Sequence, residues 1–177
     1  LHKNENSAEL QVVKKNIDKL TSDIVNFFDV EKFNKGIIVY NHAVLSDLSD
    51  IVNEVLKIFE PYANKRLITF TALVEDNIYV KADPSALNRV ANNLIENAIK
   101  FSEDNSVIDI KLSSNGERVN FLVKDFGVGI SAEYQKKVFE PYFQITNKKA
   151  NGQGMGLGLP IVKKIVEELN GAIAIRS

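Results

Sequence analysis

An amphipathic helix with asparagines on its polar face is the feature that most constrains how this chain can fold. Asp83 and Pro84 form a typical helix start, because aspartate caps free N–H groups and proline fits the first turn. Beyond them, apolar residues recur at the spacing of one helix face: Leu87, Val90, Ala91, Leu94, Ile95, Ala98 and Ile99. The opposite face carries, in order, Arg89, Asn93, Asn97 and Lys100 or Phe101. Asparagine is a middling helix former, so the two amides indicate either a solvated face or a wall that faces a polar ligand.

Composition narrows the class of protein. The chain has 177 residues, 45% of them hydrophobic, which is enough for one domain with an appendage. Its net charge of −1 gives no attraction to nucleic acid or to an anionic membrane, so we expect neither as a direct partner. The absence of cysteine excludes disulfides, thiolate metal sites and a cysteine nucleophile, and it fits a reducing compartment. No apolar run is long enough to span a bilayer, and no signal peptide is visible.

The first part of the chain has the pattern of a helix that pairs with another helix. Its apolar residues alternate spacings of three and four, at Leu10, Val13, Ile17, Leu20, Ile24 and Phe27. A stripe this narrow suits a partner helix, absent here or supplied by a second copy, better than a broad core. The alternative is an amphipathic helix folded onto its own domain. Asn34-Lys35-Gly36 is a typical helix stop, so we expect two units, residues 1–35 and residues 36–177.

The remainder of the chain predicts an α+β fold. Strands are expected at Ile37–Tyr40, Leu67–Val74, Ile78–Ala82, Val107–Ser113, Val119–Asp125 and Ala172–Ile175, with turns at Glu75-Asp76-Asn77 and at Asn115-Gly116. Besides the asparagine helix, helices are expected from Leu48 to near Pro61, near Ser131, and from the last glycine cluster to Asn170-Gly171. The predicted class is a two-layer α+β sandwich, with a mixed, antiparallel-rich sheet and helices on one face, preceded by the heptad helix.

Glycines are concentrated in one region, since six of the nine lie between residues 127 and 158. Gly127 and Gly129 follow Asp125 at the end of a predicted strand. A carboxylate there can accept a hydrogen bond from an exocyclic amine, while glycines let a flat ring approach the backbone. Adenine offers that amine, whereas guanine presents a carbonyl oxygen that would repel the carboxylate. Asp125 is therefore a candidate for adenine recognition.

The second glycine cluster, residues 152–158, leads directly into the last predicted helix. Glycines before a helix leave free N–H groups and a favourable dipole, which suit phosphates. The cluster has neither the Gly-Lys-Ser/Thr of a Walker loop nor the parallel βαβ context of a dinucleotide fingerprint. Between the two clusters, Gln144–Asn151 is typical of a mobile lid. Its Lys148 and Lys149 could meet phosphates, although solvated loop lysines are the usual case.

Four motifs follow one another along the chain: Asn93…Asn97-Ala98…Lys100-Phe101, Asp125…Gly127…Gly129, Phe139-Glu140-Pro141-Tyr142 and Gly154…Gly156-Leu157-Gly158-Leu159. Jointly they resemble the N, G1, F and G2 boxes of the catalytic ATP-binding domain of sensor histidine kinases, within the superfamily that includes gyrase, Hsp90 and MutL. The resemblance covers residues 37–177 and implies the Bergerat-type ATP-binding fold. The heptad helix resembles the second helix of the dimerisation and phosphoacceptor domain.

The resemblance implies a site for ATP and Mg²⁺. Asn97 would be the Mg²⁺ ligand, while Asn93 and Lys100 would lie close to the phosphates and carry catalysis. Asp125 would bind the adenine amine. The other nucleotide-binding residues would be Phe101, Gly127, Gly129, Gly154, Gly156, Leu157 and Gly158. Phe139 and Tyr142 would either anchor the base of the lid or simply pack in the core.

The resemblance also implies a reaction. In the ATPase branches a water-activating glutamate occupies the place of Asn93, and an amide cannot act as a general base. The chain therefore resembles a protein-histidine kinase that transfers the γ-phosphoryl group to a histidine of its dimerisation domain, for relay to an aspartate of a response regulator receiver domain. The implied setting is a homodimer formed through the heptad helix, in the cytoplasmic part of a membrane-anchored bacterial sensor.

Neither histidine of the chain matches the family's acceptor motif. That motif places an acidic residue after the histidine and a proline a few positions later. His2 is followed by Lys3-Asn4-Glu5, and His42 by Ala43-Val44-Leu45. These residues would then bind Mg²⁺–ATP without phosphorylating themselves. Two alternatives stay open: a protein-serine kinase of the anti-sigma type, which normally lacks the heptad helix, and a degenerate module that holds nucleotide only as an interaction partner.

Overall fold

The computed structural model describes residues 24–32, 40–145 and 154–177, together with Val13, Ile17, Leu20, Thr21, Lys35 and Ile37. Residues 24–32, called the N-terminal segment below, are helical. The elements that follow are β1 (Leu45–Asp47), α1 (Leu48–Asn64), β2 (Thr69–Val74), β3 (Tyr79–Lys81), α2 (Pro84–Phe101), β4 (Val107–Ser114), β5 (Val119–Asp125), a 3₁₀ helix (Lys137–Phe139) and α3 (Gly158–Glu168). In these described ranges no helix is both long and apolar enough to cross a bilayer.

The strands form two small sheets. In the larger sheet, of order β2-β4-β5, Thr69 of β2 pairs in parallel with Val107 of β4, and Ile110 of β4 pairs in antiparallel register with Val123 of β5. β1 and β3 form an antiparallel pair of their own. The predicted class, a mixed α+β fold with helices against a sheet, is confirmed. The hairpin signal at Asn115-Gly116 is confirmed as well, because it joins β4 to β5.

The main core lies between the larger sheet and the helices α1 and α2. Val52 and Val55 of α1 and Ile95 of α2 are fully buried. They share one cluster with Ile108, Ile110 and Leu112, which alternate along β4 and therefore project from one face of the sheet. Each such side chain contributes roughly 1.5–3 kcal/mol by leaving water. The apolar faces of α1 and α2 thus pack against the apolar face of β4 in one layer.

A second, smaller cluster ties α3 to the N-terminal segment. Its buried members are Val30, Tyr40, Ala86, Leu157, Ile161 and Ile165. Ala86 belongs to α2, so this second cluster brings the N-terminal segment, α2 and the beginning of α3 together. Ile161 of α3 is fully buried in this cluster.

Helix α2 begins as the sequence predicts. Asp83 is its N-cap, with Oδ1 accepting a hydrogen bond from the Ser85 N–H at 2.8 Å, and Pro84 is the first helical residue. At the other end, the guanidinium of Arg66 donates to the carbonyl oxygens of Ile99 and Ser102. These two carbonyls belong to the end of a helix, where such groups lack intrahelical partners. The nucleotide-facing helix of the prediction is therefore held at both ends.

Three predicted boundaries in the first half are wrong. Ile37 and Tyr40 are not in a strand, and residues 38–39 lie outside the described residues. Tyr40 is instead buried in the second cluster, and the first strand of the described residues is β1. α1 continues through Pro61 to Asn64, since proline there removes only one hydrogen bond and burial of Ala63 favours the last turn. β2 begins at Thr69 because Leu67 has a left-handed backbone, with φ of 54°.

The pairing of the strands also differs from the hairpins that the predicted turns would form. The turn at residues 75–77 does not make a hairpin, because β2 pairs with β4 while β3, which spans only Tyr79–Lys81, pairs with β1. The helix predicted near Ser131 consists of turns followed by the short 3₁₀ helix. The strand predicted at Ala172–Ile175 is absent, since residues 171–177 pair with no strand in the described part of the chain.

The end of α3 follows the prediction more closely. Asn170 has φ of 56° and donates its N–H to the carbonyl of Glu167, while the Gly171 N–H donates to that of Val166 at 2.8 Å. This is the Schellman arrangement, with asparagine rather than glycine in the left-handed position. The heptad residues Val13, Ile17, Leu20, Ile24 and Phe27 are helical and exposed, and Leu10 lies outside the described residues.

Candidate functional site

The side chain of Asn93 joins the polar face of α2 to the second glycine cluster. Its Nδ2 donates to the carbonyl of Arg89, one turn earlier, at 2.8 Å. Its Oδ1 lies against the Cα of Gly158, so closely that a Cβ on Gly158 would overlap it. Asn93 and Gly158 are 65 positions apart in the sequence, and their contact joins the N and G2 motifs. Asn97 follows Asn93 by one turn on the same face of the helix.

The first glycine loop meets the C-terminal end of α2. Asp125 is exposed at the end of β5, and its Oδ1 accepts a hydrogen bond from the Gly127 N–H at 2.9 Å. Gly127 packs on the carbonyl of Phe101 so tightly that a Cβ would overlap the oxygen. Glycine is therefore required at position 127 for the close approach of two backbones. Gly129 has φ of 67°, and the neighbouring Ile130 N–H donates to Ser177 Oγ at 2.7 Å.

Lys100 and Phe101 lie between these two contacts. The Nζ of Lys100 is 4.7 Å from the centroid of the Phe101 ring, and 37% of Phe101 is exposed. Both side chains are therefore at the surface of the helix end rather than in the core. Along α2 the order from the second glycine cluster to the first is Asn93, Asn97, Lys100, Phe101.

The second glycine cluster is bound to the F motif. The Tyr142 N–H donates to the carbonyl of Gly156 at 3.1 Å, and Gln144 Nε2 donates to the carbonyl of Gly154 at 2.9 Å. Gly156 has φ of 71°, and a Cβ there would lie 2.6 Å from the carbonyl oxygen of Phe143. These contacts join residues 142–144 to residues 154–156. Most of the lid predicted at Gln144–Asn151, including Lys148 and Lys149, lies outside the described residues, as does Gly152 of the second glycine cluster.

Three motif residues have side chains whose placement limits their roles. Leu157 is buried in the second cluster, so only its backbone can reach a ligand. Tyr142 is half exposed and has φ of 67°, an unusual backbone for a bulky residue, which argues against plain core packing. Phe139 is partly buried beside Val30 and Ile161 in a groove of about 220 Å³.

A polar cluster that the sequence did not predict surrounds Arg89, one turn before Asn93 on the amide face. The guanidinium of Arg89 forms an ion pair with Asp29 and donates to Oδ1 of Asn26, and both residues belong to the N-terminal segment. The hydroxyl of Tyr40 also faces this guanidinium; burial raises the pKa of Tyr40, and Arg89 opposes that effect. No periodicity or motif could have identified these contacts, because Arg89 is separated from Asp29 by 60 positions.

His42 links two further elements. Its Nδ1 accepts a hydrogen bond from the Asp83 N–H at 3.3 Å, and its Nε2 lies 3.5 Å from Oε2 of Glu168. The ring therefore connects the N-cap of α2 to the end of α3.

The geometry defines a class of protein. A helix with two amides on one face has a glycine loop at each end of that face, and the carboxylate of Asp125 follows a strand of the sheet; on an α+β sandwich this arrangement is suited to a polar ligand. The chain belongs to the family of histidine kinase-, DNA gyrase B- and HSP90-like ATPases, with which residues 82–177 match.

Individual relatives are sensor kinases. The chain is 32% identical over 148 residues to the aerobic respiration control sensor protein ArcB homologue of Haemophilus influenzae, covering 82% of this chain and 44% of that protein. It is 33% identical over 170 residues to the sensor histidine kinase ZraS of Escherichia coli, covering 94% and 34%. The solved structure of the mycobacterial sensor histidine kinase MprB matches with a TM-score of 0.64 at 28% identity, covering 75% and 83%. The chain thus spans less than half the length of these curated relatives.

Proposed function

We propose that this chain binds Mg²⁺–ATP and transfers the γ-phosphoryl group to a histidine on a dimerisation domain, for relay to an aspartate of a response regulator. The observation that carries the proposal is the contact between Asn93 and Gly158, which joins an amide-bearing helix to a glycine-rich helix start. Free N–H groups and amides beside each other suit a polyphosphate.

The donor set fits a magnesium nucleotide. Mg²⁺ prefers oxygen ligands, keeps several waters and is usually held by one or two protein groups plus substrate phosphates. The described residues contain no cluster of three or more His, Asp or Glu side chains that could hold a metal alone. A single carboxamide oxygen, from Asn97, together with phosphates is consistent with both facts. The bound ion would neutralise charge on the phosphates.

Base recognition is assigned to Asp125. Its Oδ1 already accepts the Gly127 N–H, which fixes the carboxylate and leaves Oδ2 to accept the exocyclic amine of adenine. A purine with a carbonyl at that position would face the carboxylate without a donor. Gly127 and Gly129 allow the base to approach the backbone.

Transfer is favoured over hydrolysis by the chemistry of position 93. The Asn93 Nδ2 donates to a backbone carbonyl, and a carboxamide does not take a proton from water. A neutral imidazole is already a nucleophile and needs no such base. The contribution of the chain is then positioning and charge stabilisation, with Lys100 and Asn93 near the phosphates.

The partners follow from the same proposal. The exposed apolar stripe of residues 13–27 would pair with a second helix and form a homodimer, with residues 1–35 as the end of a dimerisation domain and residues 36–177 as the catalytic domain. The likeness to sensor kinases supports a cytoplasmic position in a membrane-anchored bacterial sensor, with a response regulator as the final acceptor.

The proposal is tested by supplying a histidine-containing dimerisation domain of this family together with γ-labelled ATP. We expect acid-labile label on histidine. Acid-stable label on serine would instead support a serine kinase of the anti-sigma type. Tight nucleotide binding without any transfer would support a module that only binds. A chain that binds no nucleotide would contradict all three.

A further inference from the structure

The N-terminal segment carries a buried ion pair at its contact with α2. The side chains of Arg89 and Asp29 are only 18% and 9% exposed, whereas those of the surface pair Arg66 and Asp104 are 34% and 65% exposed. The same guanidinium also binds Asn26 and faces the Tyr40 hydroxyl, so the desolvated charge has several partners. Buried pairs of this kind add little net stability but require one specific geometry.

The residue after Asp29 adds apolar packing to the same contact. Val30 is 4% exposed and shares the second cluster with Leu157 and Ile161. Leu157 lies between Gly156 and Gly158, so its side chain anchors the glycine-rich start of α3 to the core. The N-terminal segment therefore touches α2 through Asp29 and α3 through Val30.

These two elements are also the two walls that meet at the candidate phosphate site. Asn93 lies one turn after Arg89 on α2, and Gly158 follows Leu157 directly. A helix turn and a peptide bond are stiff, so a shift of the N-terminal segment against α2 or α3 is transmitted to Asn93 and Gly158, although α2 also packs directly on α3 through Ala86. The contact leaves no room for even one added methyl group.

We propose that Arg89 is a positioning residue for the nucleotide site, because it fastens the N-terminal segment across α2 and α3 and so fixes Asn93 against Gly158. The proposal rests on the assignment of this site to Mg²⁺–ATP. Binding of nucleotide and docking of the N-terminal segment are then coupled, and the coupling is reciprocal.

The test uses the double substitution Asp29→Leu and Arg89→Met. Replacing both partners of a buried pair by apolar residues of similar size preserves packing, whereas removing one partner leaves a buried charge. Mg²⁺–ATP affinity is measured by calorimetry, and amide hydrogen exchange of residues 24–32 is followed with and without nucleotide. We expect the double variant to bind roughly ten-fold more weakly. We also expect nucleotide to slow exchange of the N-terminal segment in the unmodified chain only.

Two further variants separate positioning from a loss of stability. Arg89→Lys keeps a charge opposite Asp29 but lacks the planar fork that also reaches Asn26, so its affinity should be intermediate. Asp104→Asn removes the exposed pair with Arg66 and should change neither affinity nor exchange. Unchanged affinity in the double variant, or nucleotide-independent exchange in the unmodified chain, overturns the positioning role. If the unmodified chain binds no nucleotide, the proposed function fails together with it.

Discussion

The Oδ1 atom of Asn93 and the Cα of Gly158 are in contact, and a Cβ on Gly158 would overlap the oxygen. The asparagine cannot rotate freely to make room, because its Nδ2 is bonded to the carbonyl of Arg89. Glycine at position 158 is thus required by a neighbouring side chain and not by its own backbone angle, since it is not among the glycines with positive φ.

Gly158→Ala should therefore weaken nucleotide binding while leaving the fold stable. Alanine is a better helix former than glycine, so at the first residue of α3 it costs nothing in the backbone. The added methyl group must displace the Asn93 carboxamide, and we expect Mg²⁺–ATP affinity to fall by an order of magnitude or more. Calorimetry and a thermal melt check the two parts. If the melting temperature falls together with the affinity, the substitution acts on folding instead.

Gly127→Ala should affect both stability and binding. The added Cβ would overlap the carbonyl of Phe101, which is backbone and cannot move aside as a side chain could. Separating the first glycine loop from α2 should cost about 1–3 kcal/mol of unfolding free energy. It should also weaken nucleotide binding, because Asp125 moves with the loop.

Gly116→Ala is the matched control for that substitution. Gly116 has φ of 87° in the β4–β5 turn, with nothing within 4 Å of an added Cβ. Alanine there should cost about 1 kcal/mol through backbone strain and leave nucleotide affinity unchanged. Urea denaturation and calorimetry on the two variants distinguish the cases. Equal affinities for both would contradict the placement of the first glycine loop in the site.

Asn97→Ala should abolish Mg²⁺-dependent nucleotide binding. Asn97 is partly exposed on α2, and alanine favours the helix, so the fold should be retained. Titrations with Mg²⁺ and with a chelator measure the metal-dependent part of the affinity. Asn92→Ala is the control, because Asn92 is half-buried on the same helix and bonds only Asn88 among the described contacts. If Asn97→Ala binds Mg²⁺–ATP normally, the metal ligand is elsewhere.

Asp83→Ala should destabilise the fold in a pH-dependent way. Burial acts to raise the pKa of Asp83, but hydrogen bonds from Asn41 and Ser85 outweigh it, so the pKa lies below the usual 3.8. A carboxyl whose folded pKa is lowered stabilises the fold above its unfolded pKa, and this contribution is lost as pH falls through the folded pKa. The substitution should cost about 1 kcal/mol at neutral pH, and progressively less as the pH falls below the usual pKa of an aspartate.

Asp83→Asn is the corresponding control, since asparagine is also a good N-cap but does not titrate. Urea melts at neutral and acid pH compare the three proteins. The difference in unfolding free energy between the natural chain and Asp83→Ala should become smaller in acid. The difference between Asp83→Asn and Asp83→Ala should stay constant. A first difference that does not become smaller would assign the pH dependence to other carboxyls.

Local signals in the sequence determined α2, the β4–β5 hairpin and the end of α3. Capping at Asp83, the Asn115-Gly116 turn and the Asn170-Gly171 stop act within a few residues, so the chain encodes them without knowledge of the rest. The motifs that resemble an ATP site belong to the same group, because each is a short run of residue types with a direct chemical meaning. The family assignment follows from them.

Only the tertiary structure decided which distant parts meet. The parallel pairing of β2 with β4, the loss of the strand expected at Ala172–Ile175 and the burial of Tyr40 depend on which neighbours are available, and no periodicity reports that. The same holds for the contact of Asn93 with Gly158 and for the ion pair of Arg89 with Asp29. Both depend on backbones approaching within a few ångströms, and such approaches are set by packing of whole helices rather than by residues adjacent in sequence.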